Sequence, residues 1–586
     1  MVADLRLVVN LCRRYMPRAS LWLLLLTCAT ALAPSTLALG MQSMLDGVLT
    51  HSLAKVWPGV VETAVSGAFM VAGRRVVAVQ QTIVGQTVGT HLDRKILNLC
   101  ATLPGTAHVD DPAALYRVEQ VRGLGVRAMI LSVQAVTIMR ALVWLVFAVI
   151  MLGTVHPLLA LLPAAALPSL VLVRSSARSL AEARQQSAEH HRAAQHLLVE
   201  FLTPASAKEL RGGRSGGYLR EIARQRRESA VAQMARAQRR VMIGTLVGAV
   251  ALTVSCTAAL LFAAHLAASH AASPGSVLLV LTIGGQLRAQ CADVFDSLRM
   301  SARGLEMIGH YRWLAALHRE SASKGGSPVP TTLTTGIELR DVVFRYGSAE
   351  PTLEGIDLLL PAGATVALVG LHGSGKSTLV KLLLGMVQPT SGRITVDGVP
   401  LDDFRREQWC ARTTAAFQDF SRFPLLAGED VGVGDLSRLT DIDDAARRGG
   451  AEAVFNSLPH GRHTRLGTAF GDGVGLSGGQ WQKIAASRAF MRTDPLLAVL
   501  DEPTAALDAD SERQVYHQYN EAARTWRTAS GGITVLVSHR FATVRAADLI
   551  VVLANGHIVE TGSHRQLMAR NGRYAELYRL QEAAYR

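Results

Sequence analysis

Three apolar runs in the C-terminal part of the chain each end in residues suited to phosphate chemistry. Thr365–Val369 reads as a buried strand and leads into Gly370-Leu371-His372-Gly373-Ser374-Gly375-Lys376-Ser377-Thr378, followed by an apolar helix pattern. Glycines at this spacing let backbone N–H groups reach phosphate oxygens, and the helix N-terminus adds its partial positive charge. Lys376 is placed to reach the β- and γ-phosphates of a nucleotide, and Ser377 to hold Mg²⁺. A second buried run, Leu496–Leu500, ends in Asp501-Glu502. There Asp501 would orient Mg²⁺ through water, and Glu502 would polarise an attacking water, a general-base role worth about 10²–10⁴-fold. The bland alternative is a solvated surface pair. A third run, Ile533–Val537, leads to Ser538-His539. A histidine at the mouth of a third parallel strand can hydrogen-bond a γ-phosphate. Together these strand ends describe hydrolysis of ATP with Mg²⁺.

Leu476-Ser477-Gly478-Gly479-Gln480 follows a glycine-rich approach at Gly471, Gly473 and Gly475 and opens a helix at Trp481. Such a start is a second phosphate site, although the first loop already holds the phosphates. Two phosphate sites per chain for one ATP imply a head-to-tail dimer, with each ATP between one chain's P-loop and the other chain's Ser477–Gln480.

The elements that must carry these residues divide the chain in two. It has 586 residues, 49% hydrophobic and 18% charged, where about 25% charge is usual for a soluble chain. The net charge is +14. Residues 1–329 hold 33 Lys/Arg against 17 Asp/Glu, and residues 330–586 hold 27 against 29. The basic surplus therefore lies in the apolar part, which points to a membrane and away from nucleic acid. Runs near 20–42, 57–80, 129–152, 156–173, 241–265 and 275–295 approach the ~20 residues a spanning helix needs. Arg6, Arg13, Arg14 and Arg18 precede the first run, and 174–240 holds 14 Lys/Arg against 6 acids. Short, nearly uncharged connections lie on the other side. The N-terminus, both long loops and the C-terminal part are thus expected in the cytosol. A cleaved signal peptide ending at Ala31–Ala33 is the rival reading, but apolar residues continue to Met41.

Loops 90–128 and 174–240 read as helices running out and back, the latter broken at Pro204 and Gly212–Gly217. The expected organisation is a transmembrane domain over 1–320, a Ser/Gly/Pro/Thr linker over 321–336 and an ATPase domain over 337–586. The six cysteines have no metal-ligand spacing and read as small buried hydrophobes.

The P-loop, Gln418, Leu476–Gln480, Asp501-Glu502, Ala505–Asp508 and His539 occur in the order of an ATP-binding-cassette (ABC) ATPase, and the whole chain resembles a half-transporter of the exporter type. That resemblance implies a membrane all-α domain of six helices fused to an α/β P-loop ATPase domain. It further implies that Tyr346 stacks on adenine, Gln418 couples Mg²⁺ to the membrane domain and Asp508 crosses the dimer interface. The loop turns near 107–115 and 204–213 would be the coupling helices. ATP and Mg²⁺ would be the cofactors, and the partner a second half-transporter in the cytoplasmic membrane. Intact consensus positions favour a homodimer over a heterodimer. The chain shows no extra domain ahead of the first span, so no fused leader-cleaving protease is expected. Ala207–Arg211, Phe417–Phe423 and Gly479–Gln482 resemble an actinobacterial exporter subgroup associated with peptide natural products, while Gly212–Gly217 and Asp430 depart from it.

The expected activity is ATP-driven export by alternating access, of a peptide natural product by this finer resemblance. Lipid or multidrug export, import by an exporter-like fold, and a non-transporting ATP-gated regulator are the alternatives. For the cargo, Arg140 falls near mid-bilayer, where an Arg costs about 2.5–3.5 kcal/mol on insertion scales and so should face protein or water. Gln286, Gln290 and Asp293 share one helix face. A polar cavity for an anionic or peptide-like group is one reading. An internal pair of Arg140 with Glu62 or Asp293 is the other.

Overall fold

The computed structural model describes residues 14–585 except 104, 122, 168–178, 181, 184–185, 188–189, 191, 200, 202, 323–325, 348–349, 469, 502–508 and 539–543. The chain divides into two compact units. One comprises the chain up to Asn98 together with Gln120–Trp313, and the other comprises Leu99–Glu119 together with Leu314 onward.

The first unit is helical. Its long helices are α1 (Pro17–Leu49), α2 (Leu53–Thr102), α5 (Leu124–Val155), α7 (Gly216–Ala268) and α8 (Gly275–Ala322); α2 and α8 run on into the second unit. Between α2 and α5 lie α3 (Ala107–Asp110) and α4 (Pro112–Val121), and α6 (Pro204–Gly212) precedes α7. Among the described residues, α1, α2, α5, α7 and the start of α8 are the helices long and apolar enough to cross a membrane. Their outward apolar side chains, such as Trp22, Val65, Leu142, Val146, Val250 and Leu261, are exposed, as lipid-facing residues are. The expected run at 156–173 is described only to residue 167, as a 3₁₀ helix over Leu159–Ala166 containing Pro163. Its remaining residues lie outside the described set.

Close backbone approach fixes the turn from α1 to α2. A Cβ on Gly40 would lie 2.8 Å from the Thr63 nitrogen, and one on Gly59 would lie 2.6 Å from the Met44 nitrogen. Only glycine permits this spacing. At the same end, Asp46 Oδ1 accepts a hydrogen bond from the Gly275 N–H at 2.7 Å, satisfying the first donor of α8. The expected break over Gly212–Gly217 is shorter in the structure. α6 takes Pro204 at its first position, and α7 begins at Gly216, so Gly216 and Gly217 are helical. Nothing crowds either glycine, and the good helix formers that follow outweigh its propensity cost.

The second unit is α/β. An antiparallel sheet runs in the order β2-β1-β4-β5, with β1 Gly336–Phe344, β2 Leu353–Pro361, β4 Ser391–Val396 and β5 Val399–Pro400. The Asp397-Gly398 turn between β4 and β5 has both residues at positive φ (47° and 83°), as a two-residue hairpin requires. The Asp397 carboxylate also accepts from the Thr334, Thr335 and Gly336 N–H groups, which ties the start of β1 to this turn. The other sheet runs β10-β9-β3-β8-β7-β6. It contains β3 Thr365–Val369, β6 Thr413–Ala416, β7 Leu497–Asp501, β8 Ile533–Val537, β9 Leu549–Ala554 and β10 His557–Gly562. All its pairings are parallel except β9 with β10. β7 and β8 are fully buried and β3 nearly so, as expected for the middle of a covered parallel sheet. Their order, β3-β8-β7, sets three strand ends side by side.

Candidate nucleotide site

The loop after β3 folds as its glycines dictate. Gly373 and Gly375 have φ of +78° and +100°, and a Cβ on Gly370 would lie 2.3 Å from the Leu553 carbonyl oxygen. No side chain caps the following helix, α9 (Lys376–Leu383), whose N-cap is Gly375 in the left-handed region. Its first N–H groups therefore have no side-chain acceptor of their own, which suits an anion. Lys376 is 7% exposed, and its Nζ donates to the Gly370 and Leu371 carbonyls at 2.8 and 2.9 Å. Among the described residues, the buried Ser374 hydroxyl has no hydrogen-bond partner.

Gly373, Ser374, Gly375, Lys376, Ser377 and Thr378 share a cleft of roughly 180 Å³ with His372, Gln418 and Asp501. Gly370, the first residue of the loop, is not among the residues lining this cleft. The strand end suggested Asp501 for metal binding and the family resemblance suggested Gln418, and the fold brings both into one cleft with Ser377. A hydroxyl, an amide oxygen and one carboxylate form a hard oxygen set. It fits Mg²⁺ when phosphate oxygens and water complete the coordination. With the orphaned Ser374 hydroxyl and the uncapped helix, the cleft fits the phosphates of a nucleotide.

Tyr346 stands edge-on to Phe344, with centroids 4.8 Å apart, and its hydroxyl is 3.5 Å from Thr378 Oγ1. Ser477, Gly478, Gly479 and Gln480 are not among the residues lining the cleft. They open α10 (Gly478–Ala489) through a reciprocal capping box. Ser477 Oγ accepts from the Gln480 N–H at 3.3 Å, and Gln480 Oε1 accepts from the Ser477 N–H at 2.9 Å. Glu502, Asp508 and His539 lie outside the described residues.

Two features of this unit were not legible as site residues. The first is Lys381, whose Nζ donates to both carboxylate oxygens of Asp110 and lies over the Tyr346 ring. Burial works to lower its pKa, but Asp110 and Tyr346 outweigh it and hold the ammonium above the ordinary lysine value. The second joins the segment after Gln418 to the end of α10. Arg488 Nε donates to Asp430 Oδ1 at 2.7 Å and to the Asp430 carbonyl at 3.1 Å, while the guanidinium lies 4.9 Å from the centre of the Phe423 ring. Asp430 is wholly buried and the Arg488 side chain 13% exposed. Burial pushes the Asp430 carboxyl up, and Arg488 offsets part of that.

Asp430→Ala should therefore strand a buried guanidinium and destabilise the unit by about 3–5 kcal/mol. Asp430→Asn, which keeps the shape and one acceptor, should cost less. Thermal unfolding of the detergent-solubilised chain would separate the two, with equal midpoints contradicting the assignment.

In the helical unit, Arg140 lies near the middle of α5 and its Nη2 donates to Asp293 Oδ2 at 3.2 Å. Gln290 is 6% exposed, its buried Oε1 has no partner among the described residues, and Gln286 is half-buried. The internal-pair reading of Arg140 is thus what the structure displays, with Asp293 and not Glu62 as the partner.

Residues 353–505 match the ABC transporter family. An ATP-dependent lipid A-core flippase of Pseudomonas aeruginosa is 34% identical over 313 residues, covering 52% of this chain and 49% of that protein. One from Cupriavidus pinatubonensis is 40% identical over 249 residues, covering 42% of this chain and 40% of its own. The chain spans about half the length of the curated relatives it matches. A solved structure, that of a bacterial Atm1-family ABC exporter with ATP bound, aligns with a TM-score of 0.78 at 21% identity, over 97% of this chain and 98% of that one. The second unit therefore carries the segment that matches the ABC transporter family, and the chain has the fold of that ABC exporter structure.

Proposed function

We propose that two copies of this chain form an ATP-driven exporter of an amphiphile with an anionic headgroup. The observation that carries the reading is the single cleft in which the P-loop, Gln418 and Asp501 meet, on a chain that also has long apolar helices. Bound Mg²⁺ would screen phosphate charge, and bound ATP would supply the free energy of phosphoanhydride cleavage. The residues of the chain do the rest. Lys376 and the N–H groups of the P-loop hold phosphate, Ser377, Gln418 and Asp501 hold the metal, and Tyr346 receives the base. Glu502 takes a proton from the attacking water, and His539 donates to the terminal phosphate. Ser477–Gln480 and Asp508 act on the partner's nucleotide, so hydrolysis needs two chains. The N- and C-termini lie in the cytosol, and the chain sits in the cytoplasmic membrane.

The cargo reading follows two observations. The relatives are named lipid A-core flippases, which favours the lipid alternative over peptide export. Inside the helical unit, Arg140 is only 18% exposed, and an exposed Arg288 lines a groove otherwise formed by residues such as Leu252, Leu260, Val280 and Leu281. Intramembrane cations of this kind need an anion, water or protein beside them. Asp293 serves Arg140 until a headgroup displaces it.

In proteoliposomes, ATP should drive translocation of a fluorescent acidic phospholipid faster than of its zwitterionic analogue or of a peptide. Arg140→Ala should lower stimulation of ATPase by that lipid relative to unstimulated turnover. ATP hydrolysis without translocation of any of the three would favour the regulator instead.

A further inference from the structure

We propose that Lys381 is a positioning residue that ties Tyr346 to the loop Gly105–Asp111, so that docking of this loop and binding of a nucleotide base reinforce one another. The proposal rests on the reading of Tyr346 as the base platform and extends it to a loop with no assigned residue-level role.

Lys381 lies one helical turn after Thr378 on α9, so the helix that begins at the phosphate loop presents both on one face. Its Nζ is 3.0 and 3.2 Å from the two carboxylate oxygens of Asp110 and 5.6 Å from the centre of the Tyr346 ring. The Lys381 and Asp110 side chains are only 29% and 23% exposed, so water screens the pair less than it would a surface pair. The carboxylate is itself held. Thr106 Oγ1 donates to Asp110 Oδ2 at 2.8 Å, and the Thr106 N–H donates to the Met386 carbonyl at 2.9 Å. Gly105, at φ +79°, passes so near this carbonyl that a Cβ would lie 2.3 Å from its oxygen.

A lysine stem is flexible, and on its own it would sample many positions around the ring. Anchored by Asp110, the ammonium stays over the aromatic face, a favourable cation–π position. Tyr346 is thereby ordered before a purine arrives, and a preorganised partner binds with less loss of freedom. Linkage makes the effect reciprocal: a loop that strengthens base binding when docked is itself docked more firmly when the base is bound.

The test uses the full chain in lipid nanodiscs and two probes, ATP and inorganic tripolyphosphate, which carries phosphates without a base. Calorimetry should show Lys381→Met and Asp110→Asn each weakening ATP by about 2- to 5-fold, the worth of a partly exposed cation–π contact. Tripolyphosphate affinity should stay unchanged, which also verifies folding. The double variant should be no weaker than either single one, Lys381→Arg should restore ATP affinity, and Asp110→Asn should have no effect in a Tyr346→Ala background. Equal losses for both probes, or no loss for ATP while Tyr346→Ala weakens it, would reduce the ion pair to a structural staple and overturn the proposal. ATP affinity unchanged by Tyr346→Ala would instead refute the base-platform reading beneath it.

Discussion

Lys376→Ala is expected to lower ATP turnover by about 10²–10³-fold, the usual cost of removing a preorganised group that stabilises developing negative charge. The lysine is buried in the phosphate loop, and the Gly370 and Leu371 carbonyls already aim its ammonium. Alanine removes this cation and leaves the two carbonyls without their donor. The loss should appear in affinity as well as turnover, because ground-state phosphates carry the same charges the lysine faces. Steady-state ATPase assays and direct ATP binding on the same preparation would check both. Turnover within tenfold of the unaltered chain would mean that Lys376 does not face phosphate in the working state.

Glu502→Gln should produce a loss of about 10²–10⁴-fold with a different signature. The glutamate follows Asp501 in the sequence, and Asp501 ends the fully buried β7 and lines the cleft. Glutamine preserves size and hydrogen bonding but cannot accept the proton of the attacking water. ATP affinity should therefore persist while turnover disappears, the reverse of the lysine variant, which loses both. The unaltered chain alone in nanodiscs is the reference. If it is itself silent, the base assignment stays with a competent pair of different chains, and addition of a second half-transporter should restore hydrolysis.

The parts of the fold that were legible share a physical cause. β3, β7 and β8 are buried on both faces, so their sequences are unbroken apolar runs, and the residues at their ends stood out against that background. The long apolar helices announced themselves by length. Glycine was a poorer guide: the motif at Gly212–Gly217 read as one break, yet a helix starts within it at Gly216 because no contact forbids it. Convergence was legible only as motif order. Gln418 entered through family resemblance, and the cleft it shares with Asp501 comes from sheet topology. Lys381 and Asp110 are 271 positions apart, and no local pattern pairs them. Asp430 stood out only as a departure from a family pattern, since burial of a charge depends on what packs around it. Arg140 was the converse case. The cost of an intramembrane cation demanded a partner, and Asp293, one of two named, supplies it.

The backbone contact between α1 and α2 bears on how the membrane part can move. With Gly40 and Gly59 packed close against each other's main chain, beside only the short Thr63 and Ser43 side chains, sliding one helix along the other would drive Cβ atoms of neighbouring residues into main chain. Interfaces that tolerate sliding are padded by long side chains that can change rotamer, and here the nearest side-chain atoms are the Thr63 and Ser43 hydroxyls. The pair therefore behaves as a single lever, and its Asp46 link to the start of α8 adds a third arm at the same end. Any swing that opens a passage has to be taken up elsewhere in the helical unit, so a cross-link that staples α1 to α2 should leave the proposed transport running.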